Sequence, residues 1–413
     1  MPAQTPLSAA MPDKTSKLPL QGVRVIDLAT FIAGPFTAAV LSEFGAEVIK
    51  VEQPGLGDPL RKFGSPSKRG DGYAWLSEQR NKKSVTLDLR QPEGAALFKR
   101  LVAEADILCE NFRPGTMEKW GLGPEELKAV NPGLVMVRIS GYGQTGPYRD
   151  RPGFARIAHA FGGLTHLTGV PGGPPLTPGS TSLADYISGL YGAVGALLAL
   201  RSREETGGQV IDIALYESIF RVLDEMAPLY AATGFVRPRL GLMTSNVCPH
   251  GHFECGDGGW VAIACTSDKM WRRMAAVLGR DELGEDERYA TSAKRVENRD
   301  DVEAMVTAFT LSLPREKVVE TCNAGGVPTS PVYSIADVFE DPHYRARGTL
   351  KDVVEPETGE HVHVPNVLPA MSETPGRIES LGPRLGAHND EVYGTLLGLS
   401  DDERAALREK GVI

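Results

Sequence analysis

The sequence predicts an α/β fold in two parts, a large Rossmann-like domain on a parallel sheet and a smaller α+β domain. Three observations carry that prediction. From Gly22 to about residue 150, β-branched apolar runs alternate with helical stretches, the signature of strand–helix–strand units. Between about 225 and 340 the texture changes to short strands and helices with polar faces. A chain of 413 residues, 41% hydrophobic and 23% charged, is large enough for two such domains and ordinary for a globular protein.

The elements follow in order. "VRVIDLA" is a buried strand, "AGPFTAAVLSEFG" a glycine-proline turn and a helix ending at Gly45, and "AEVIKVE" a second strand ending at Glu52. Strand "KSVTLDL", helix "PEGAALFKRLVAEA", strand "DILCEN", helix "GPEELKAV" and strand "LVMVRIS" continue the pattern. In the second part "GHFECGDGGWVAIAC" reads as two strands around a turn. "GTLKDVVEPETGEHVHVPNV" reads as a hairpin turning at Glu357-Thr358-Gly359, and "SDDERAALREKGVI" as a closing helix with a Ser N-cap and an acidic first turn.

The totals exclude several functions. A net charge of −9 gathers no phosphate backbone, so no nucleic-acid partner is expected. Five cysteines (Cys109, Cys248, Cys255, Cys265, Cys322), mostly in apolar contexts, fit reduced thiols and a cytoplasmic location. No membrane partner is expected, since the most apolar stretch, Leu190–Leu200, is interrupted by glycines and short. Residues 1–18 lack a signal-peptide core and read as a disordered extension.

Six constellations bear on chemistry. Glu52 ends the second strand where a dinucleotide ribose would sit, but no GxGxxG precedes the helix. Between Arg61 and Arg90, eight cations (Arg61, Lys62, Lys68, Arg69, Arg80, Lys82, Lys83, Arg90) face three anions (Asp71, Glu78, Asp88), either a solvated face or a seat for phosphates. Arg113, in "NFRPG", stands at a strand's carboxyl end. "CPHGHFEC" holds two cysteines and two histidines, yet strand alternation points them to opposite faces, and no metal is expected. His159 and His166 have no GxSxG partner, which argues against serine hydrolysis.

The sixth is Asp185, in "TSLADYISGLYGA". Ser182-Leu183-Ala184-Asp185 matches the capping box, which accounts for an acid here without chemistry. The helix dipole would lower the carboxylate's pKa and keep it ionised. An ionised carboxylate at unpaired N–H groups equally suits a nucleophile for acyl transfer. The small residues Gly189, Gly192, Ala193, Gly195 and Ala196 leave room for a backbone or a substrate. Local pattern leaves both readings open.

Beyond single motifs, the chain resembles the class III coenzyme A transferase family (the CaiB/BaiF and formyl-CoA transferase type) over roughly residues 20–413. The likeness rests on "GVRVIDLATFIAGPFTAAVLSEFGAEVIKVEQPGLGDPLR", "NKKSVTLDLRQPEG", "ADILCENFRPGTMEKWGLG", "ISGYGQTGPYRDRPGF", "PGSTSLADYISGLYGAVGALLAL", "GGQVIDIALYES" and "GVPTSPVYSIADVFEDPHYRARGTL", in that order. The resemblance implies an open-ring chain forming an interlocked homodimer. It divides the chain into a large Rossmann-like CoA-binding domain (19–222), a small α+β domain (223–344) and a C-terminal segment returning to the large domain (345–413). It assigns Asp185 as nucleophile. Coenzyme A contacts carried over by motif are Ile32, Ala33, Gln53, Leu87, Asp88, Leu89, Arg90, Asn111, Phe112, Arg113, Lys119, Pro152, Gly153, Phe154 and Ala155.

The implied chemistry moves CoA from an acyl-CoA donor, of succinyl-CoA type, to a small carboxylic, expectedly dicarboxylic, acid through an aspartyl anhydride and an aspartyl-CoA thioester. It needs no cofactor beyond the thioester itself. The chain departs from the family at Ile32 (Gln in some members), at Ala155 (often Asp) and at His159 (commonly Gln). "MTSNVCPHGHF" replaces a glycine-rich loop of oxalate-using members. His159 and Asn246 are assigned to the acyl pocket. The alternatives are a 2-methylacyl-CoA racemase, which needs a "GHD" acid/base where Gly153-Phe154-Ala155 stands, and a non-catalytic CoA-binding protein.

Overall fold

The β-branched runs pair as one parallel sheet of six strands in the order β3-β2-β1-β4-β5-β6. They are β1 (Arg24–Asp27), β2 (Glu47–Glu52), β3 (Lys82–Thr86), β4 (Ile107–Glu110), β5 (Val135–Ser140) and β6 (Val210–Ala214). A computed structural model describes residues 17–179 and 181–413, so most of the expected N-terminal extension lies outside the described residues. The chain divides into two units. The first joins the stretch through Gly162 with Gly179–Leu223 and Gly348–Ile413, and the second joins Gly163–Pro178 with Asp224–Arg347.

In the first unit the strands are buried on both faces, which is why they read as unbroken apolar runs rather than alternating ones. Ile26, Ile49, Val85, Leu108 and Met136 meet Phe98, Leu101 and Val102 of the Pro92–Ala103 helix in one core. The C-terminal segment closes that core. Tyr393 and Val412 are buried in it, the Tyr393 hydroxyl donates to the Thr86 carbonyl (2.8 Å), and the Asp88 N–H donates to the Val412 carbonyl (2.8 Å). The hairpin of β10 (Leu350–Val354) and β11 (His361–Pro365) and the closing helix Asp401–Glu409, with its Ser400–Glu403 capping box, form where the sequence places them.

One expectation is corrected. Glycines do not break the apolar stretch around Leu190–Leu200; it lies inside a continuous helix, Leu183–Thr206, the one described helix long and apolar enough to cross a membrane. Gly189 and Gly192 share its face with Asp185 at i+4 and i+7, and that face packs on the Ala33–Glu43 helix. A Cβ on Gly189 would lie 2.8 Å from the Ala33 carbonyl oxygen, and one on Gly192 would lie 2.4 Å from Thr37 Oγ1. Close packing therefore outweighs the weak helix propensity of glycine.

The second unit is an antiparallel sheet of β7 (His250–Glu254), β8 (Trp260–Ala264) and β9 (Thr329–Pro331) against helices. Its core holds Cys248, Phe253, Trp271, Val302 and Val318. Arg295 is buried there, with its guanidinium donating to the Cys248 and Tyr289 carbonyls (2.8 Å each) and pairing with Asp268 at 3.0 Å. All five cysteines are buried free thiols.

Candidate active site

The strand order reverses between β1 and β4, and a doubly wound sheet opens its ligand crevice at the carboxyl ends of such a pair. Two cavities lie there, of about 460 and 260 Å³, sharing Thr30 and Phe112. The wall between them is the loop after β1, and side chains from three neighbouring segments fix it. Lys50 Nζ donates to the Ala29 carbonyl. The Asn111 amide brackets Thr30, accepting from its N–H (2.8 Å) and donating to its carbonyl (2.7 Å). Asp58 Oδ1 accepts from the Phe31 N–H (3.1 Å), and Phe31 is held in the left-handed region at φ 61°.

Beneath this loop lies a buried ion network. Lys50 sits 3.0 Å from Asp58 and 3.6 Å from Asp27, and Lys82 sits 2.8 Å from Asp27. Burial pulls the Lys50 ammonium down, but the carboxylates of Asp27, Asp58 and Glu52 outweigh it and raise its pKa. Removing one partner of such a buried set typically costs about 3–5 kcal/mol, because the remaining charge is left without solvent.

The basic run from Arg61 to Arg90 divides: most of its cations are held in ion pairs, while Lys62 and Arg90 stand exposed in the wall of the larger cavity. Arg61 pairs with Glu52 (2.8 Å), Arg69 with Asp71 (2.9 Å) and Arg80 with Glu43 (3.0 Å). Lys82 pairs with Asp27 as above, Lys83 with Glu47 (2.6 Å) and Arg90 with Asp88 (2.8 Å). Lys62 lines the larger cavity. Glu52 also accepts from Ser84 Oγ (2.6 Å), so its carboxylate is committed and does not await a ribose.

The structure gathers most of the proposed coenzyme A contacts. Gln53, Leu87, Asp88, Leu89, Arg90 and Phe112 line the larger cavity. Ile32, Ala33, Asn111, Phe112, Arg113, Pro152, Gly153 and Phe154 line the smaller one, together with Asp185. Lys119, exposed at the end of the Thr116–Lys119 turn, and Ala155, buried at the start of the Ala155–Phe161 helix, line neither. Arg149 and Arg151, overlooked in the sequence, stand in the wall of the smaller cavity. Arg149 meets the exposed Asp150 at 3.6 Å, and the Arg151 guanidinium lies 3.5 Å over the Tyr148 ring. Both sit in "GPYRDRPGF", where two arginines in three residues beside a strand's carboxyl end were the available signal.

Asp185 is the third residue of its helix and is half-buried. The capping box expected around it does not form. The Ser182 side chain accepts no helix N–H, and the Asp185 N–H turns back to the Ser182 carbonyl (2.9 Å). The expected dipole effect is also overtaken: burial pushes the carboxyl up to about 6, with the Ser182 hydroxyl pulling it back down. No cation contributes to that balance. A carboxyl near 6 is ionised at neutral pH, and Asp185 stands in the wall of the smaller cavity with Arg113, Arg149 and Arg151, the polar Thr30, Asn111 and Ser140, and apolar residues.

His159 is 1% exposed and accepts the Ala184 N–H through Nε2 (3.0 Å); it is not in the cavity wall. Asn246 is exposed in a loop of the second unit. Cys248 and Cys255 turn into the second unit's core while His252 is exposed, and no three His, Cys, Asp or Glu converge among the described residues.

Residues 20–389 match the family described as CoA-transferase family III. The "Succinyl-CoA--L-malate CoA-transferase beta subunit" of Chloroflexus aurantiacus is 55% identical over 405 residues, covering 98% of this chain and 100% of that one. The alpha subunit of the same name and organism is 52% identical over 414 residues, covering 100% and 96%. The crystal structure of a CAIB/BAIF family protein from Brucella suis superposes with a TM-score of 0.81 at 35% identity, covering 92% of this chain and 100% of that one.

Proposed function

The chain belongs to CoA-transferase family III, and from that premise we propose that it carries CoA from succinyl-CoA to a small dicarboxylic acid of the malate type, with Asp185 as covalent nucleophile. The observation that carries the reading is the half-buried Asp185 side chain in the wall of the cavity at the strand-order reversal, in company with Arg113, Arg149 and Arg151.

The reaction runs in two symmetrical halves. An Asp185 oxygen attacks the thioester carbon of succinyl-CoA, the C–S bond breaks, and a succinyl–aspartyl anhydride and CoA thiolate remain. The thiolate attacks the aspartyl carbonyl, succinate leaves, and Asp185 carries CoA as a thioester. The acceptor carboxylate then attacks that thioester, displacing the thiolate and forming a new anhydride. The thiolate attacks the acceptor's acyl carbon, releasing the product thioester and free Asp185. The thioester is conserved throughout, so neither ATP nor a metal is needed. Arg113, Arg149 and Arg151 in the smaller cavity, with Lys62 and Arg90 in the larger one, supply a positive field for anionic substrates.

A racemase is disfavoured because the residues beside Asp185 lack a second proton carrier: Phe154 and Ala155 hold no acid or base, and His159 Nε2 is occupied by the Ala184 N–H. The protein acts in the cytoplasm as an interlocked homodimer. The apolar ridge of the Leu183–Thr206 helix supports self-association, with Leu190, Val194, Leu197 and Leu198 exposed. Since the two C. aurantiacus relatives are alpha and beta subunits, light scattering on the purified chain alone checks this; a monomer overturns it.

The activity test is incubation with succinyl-CoA and a panel of carboxylic acids, read by mass. Transfer to malate-type acids is expected, as is conversion of the Asp185 carboxyl to an alcohol, with release of CoA, when borohydride reduces the aspartyl-CoA thioester. Full exchange by Asp185→Ala overturns the nucleophile assignment.

A further inference from the structure

A helix begins with N–H groups that have no partner within the helix, and the N-cap side chain ordinarily satisfies the second or third of them. In the Leu183–Thr206 helix Ser182 holds the N-cap position and makes no such bond. The Ala184 N–H is satisfied instead by His159, which precedes it by 25 residues on the Ala155–Phe161 helix. We propose that His159 is a positioning residue, a cap supplied from a neighbouring helix that fixes the turn bearing Asp185 and leaves the Asp185 carboxylate unclaimed by the N-cap N–H. The inference rests on Asp185 being the nucleophile.

Three features support it. An imidazole nitrogen that accepts a hydrogen bond carries no proton, so the proton of neutral His159 must sit on Nδ1. Nδ1 is buried and without a hydrogen-bond partner, so the placement of the ring is set by the bond at Nε2 and by packing. Burial, reinforced by the charge of Arg156 one turn back, lowers the His159 pKa and keeps the ring in the neutral form that can accept.

The role follows from what a self-contained cap would do. In a completed box the acid at the third helical position folds back to accept the N-cap N–H, so its oxygen is occupied. With the first turn held from outside, the third residue is relieved of that duty. Its neighbour's backbone is fixed by a buried ring, which limits rotation of the turn and with it the arc through which the carboxylate can swing.

The test pairs His159→Gln, whose amide oxygen can accept the Ala184 N–H, with His159→Leu, which cannot. Succinyl-CoA-to-malate transfer should fall about 30-fold in kcat for His159→Leu, with KM for succinyl-CoA changed less than about 2-fold, and recover to within about 3-fold of wild type in His159→Gln. Equal activity in the two variants, both folded, overturns the proposal. Nitrogen-15 NMR of histidine-labelled wild-type protein gives a substrate-independent readout. An unprotonated, hydrogen-bonded Nε2 at neutral pH is expected, and a proton on Nε2 overturns the inference. Should the Leu variant fail to fold, the Gln variant and the tautomer decide. Should the wild-type protein transfer no CoA, the functional reading fails while the tautomer still reports on the cap.

Discussion

Two tetrapeptides in this molecule differ by one branched methyl position and fold differently. Ser182-Leu183-Ala184-Asp185 opens the Leu183–Thr206 helix, and Ser334-Ile335-Ala336-Asp337 opens the Ile335–Glu340 helix. At the second, the box closes in both directions. Asp337 N–H donates to Ser334 Oγ (3.3 Å), and Ser334 N–H donates to Asp337 Oδ2 (2.7 Å). The Ser334 hydroxyl, which donates to the same carboxylate (2.6 Å), the Ser334 N–H and Arg315 at 3.1 Å hold the Asp337 carboxyl down to about 2. At the first, the box stays open, His159 takes over the backbone, and burial lifts Asp185 to about 6. The same acid in the same local pattern is a structural fastener in one place and part of a cavity wall in the other. Tertiary surroundings, not the tetrapeptide, decide which.

The strongest test of the contrast is to neutralise each acid. Asp185→Asn should lose at least about 10³-fold in CoA transfer, because a covalent step loses its nucleophile, while Asp337→Asn should transfer at the wild-type rate. A large loss in the Asp337 variant would erase the distinction.

The acids should also respond oppositely to pH. Asp185 must be ionised to attack, so kcat/KM should fall about tenfold per unit below pH 6. Its raised pKa means that the native state holds the proton more tightly than the unfolded chain. The burial cost is therefore relieved as pH drops from about 6 toward the unfolded value near 4, and is full above 6. Asp185→Asn should accordingly be the more stable protein at pH 7, by on the order of 2 kcal/mol in urea unfolding, with the gain vanishing at acid pH. Asp337, whose pKa is lowered, contributes stability above the unfolded value that is lost as pH falls toward 2.

Smaller effects sharpen the picture. Gly192→Ala drives a Cβ into Thr37 and should cost about 1–3 kcal/mol and roughly tenfold in rate, measured by thermal melts and transfer assays. Smallest of all, Ser182→Ala should shift the acid limb of the rate profile slightly upward, since the Ser182 hydroxyl favours the ionised form, with little change in melting. Ser334→Ala should lower the melting temperature and leave the profile alone.

What could be read from the chain divides along the same line. The strands β1 to β5 were legible because burial on both faces leaves apolar runs, and the hairpin and closing helix because their turn and cap chemistry is local. Asp185 was legible as a candidate through the long motifs around it, whereas its cap reading was undone by a histidine 25 residues away. The basic run was legible only in part, for a like reason. Counting Arg61 to Arg90 shows eight cations, but Glu52, Glu43, Asp27 and Glu47, which neutralise four of them, come from preceding strands and a helix. The helix glycines looked like breaks because the surface they fit, the Ala33–Glu43 helix, lies some 150 residues earlier in the chain.

That glycine contact has a mechanical consequence. Thr37 Oγ1 donates to the Gly189 carbonyl (2.9 Å), so the two helices are indexed against each other like a pawl in a toothed wheel. The next equivalent setting along the axis is a full turn away, about 5.4 Å. The turn that carries Asp185 thus has a fixed height above the sheet and cannot creep by fractions of a turn to suit a longer or shorter acid. Any change in the size of acid handled on this scaffold has to be made in the loops around Asp185, with the indexed pair of helices left as the datum from which they are measured.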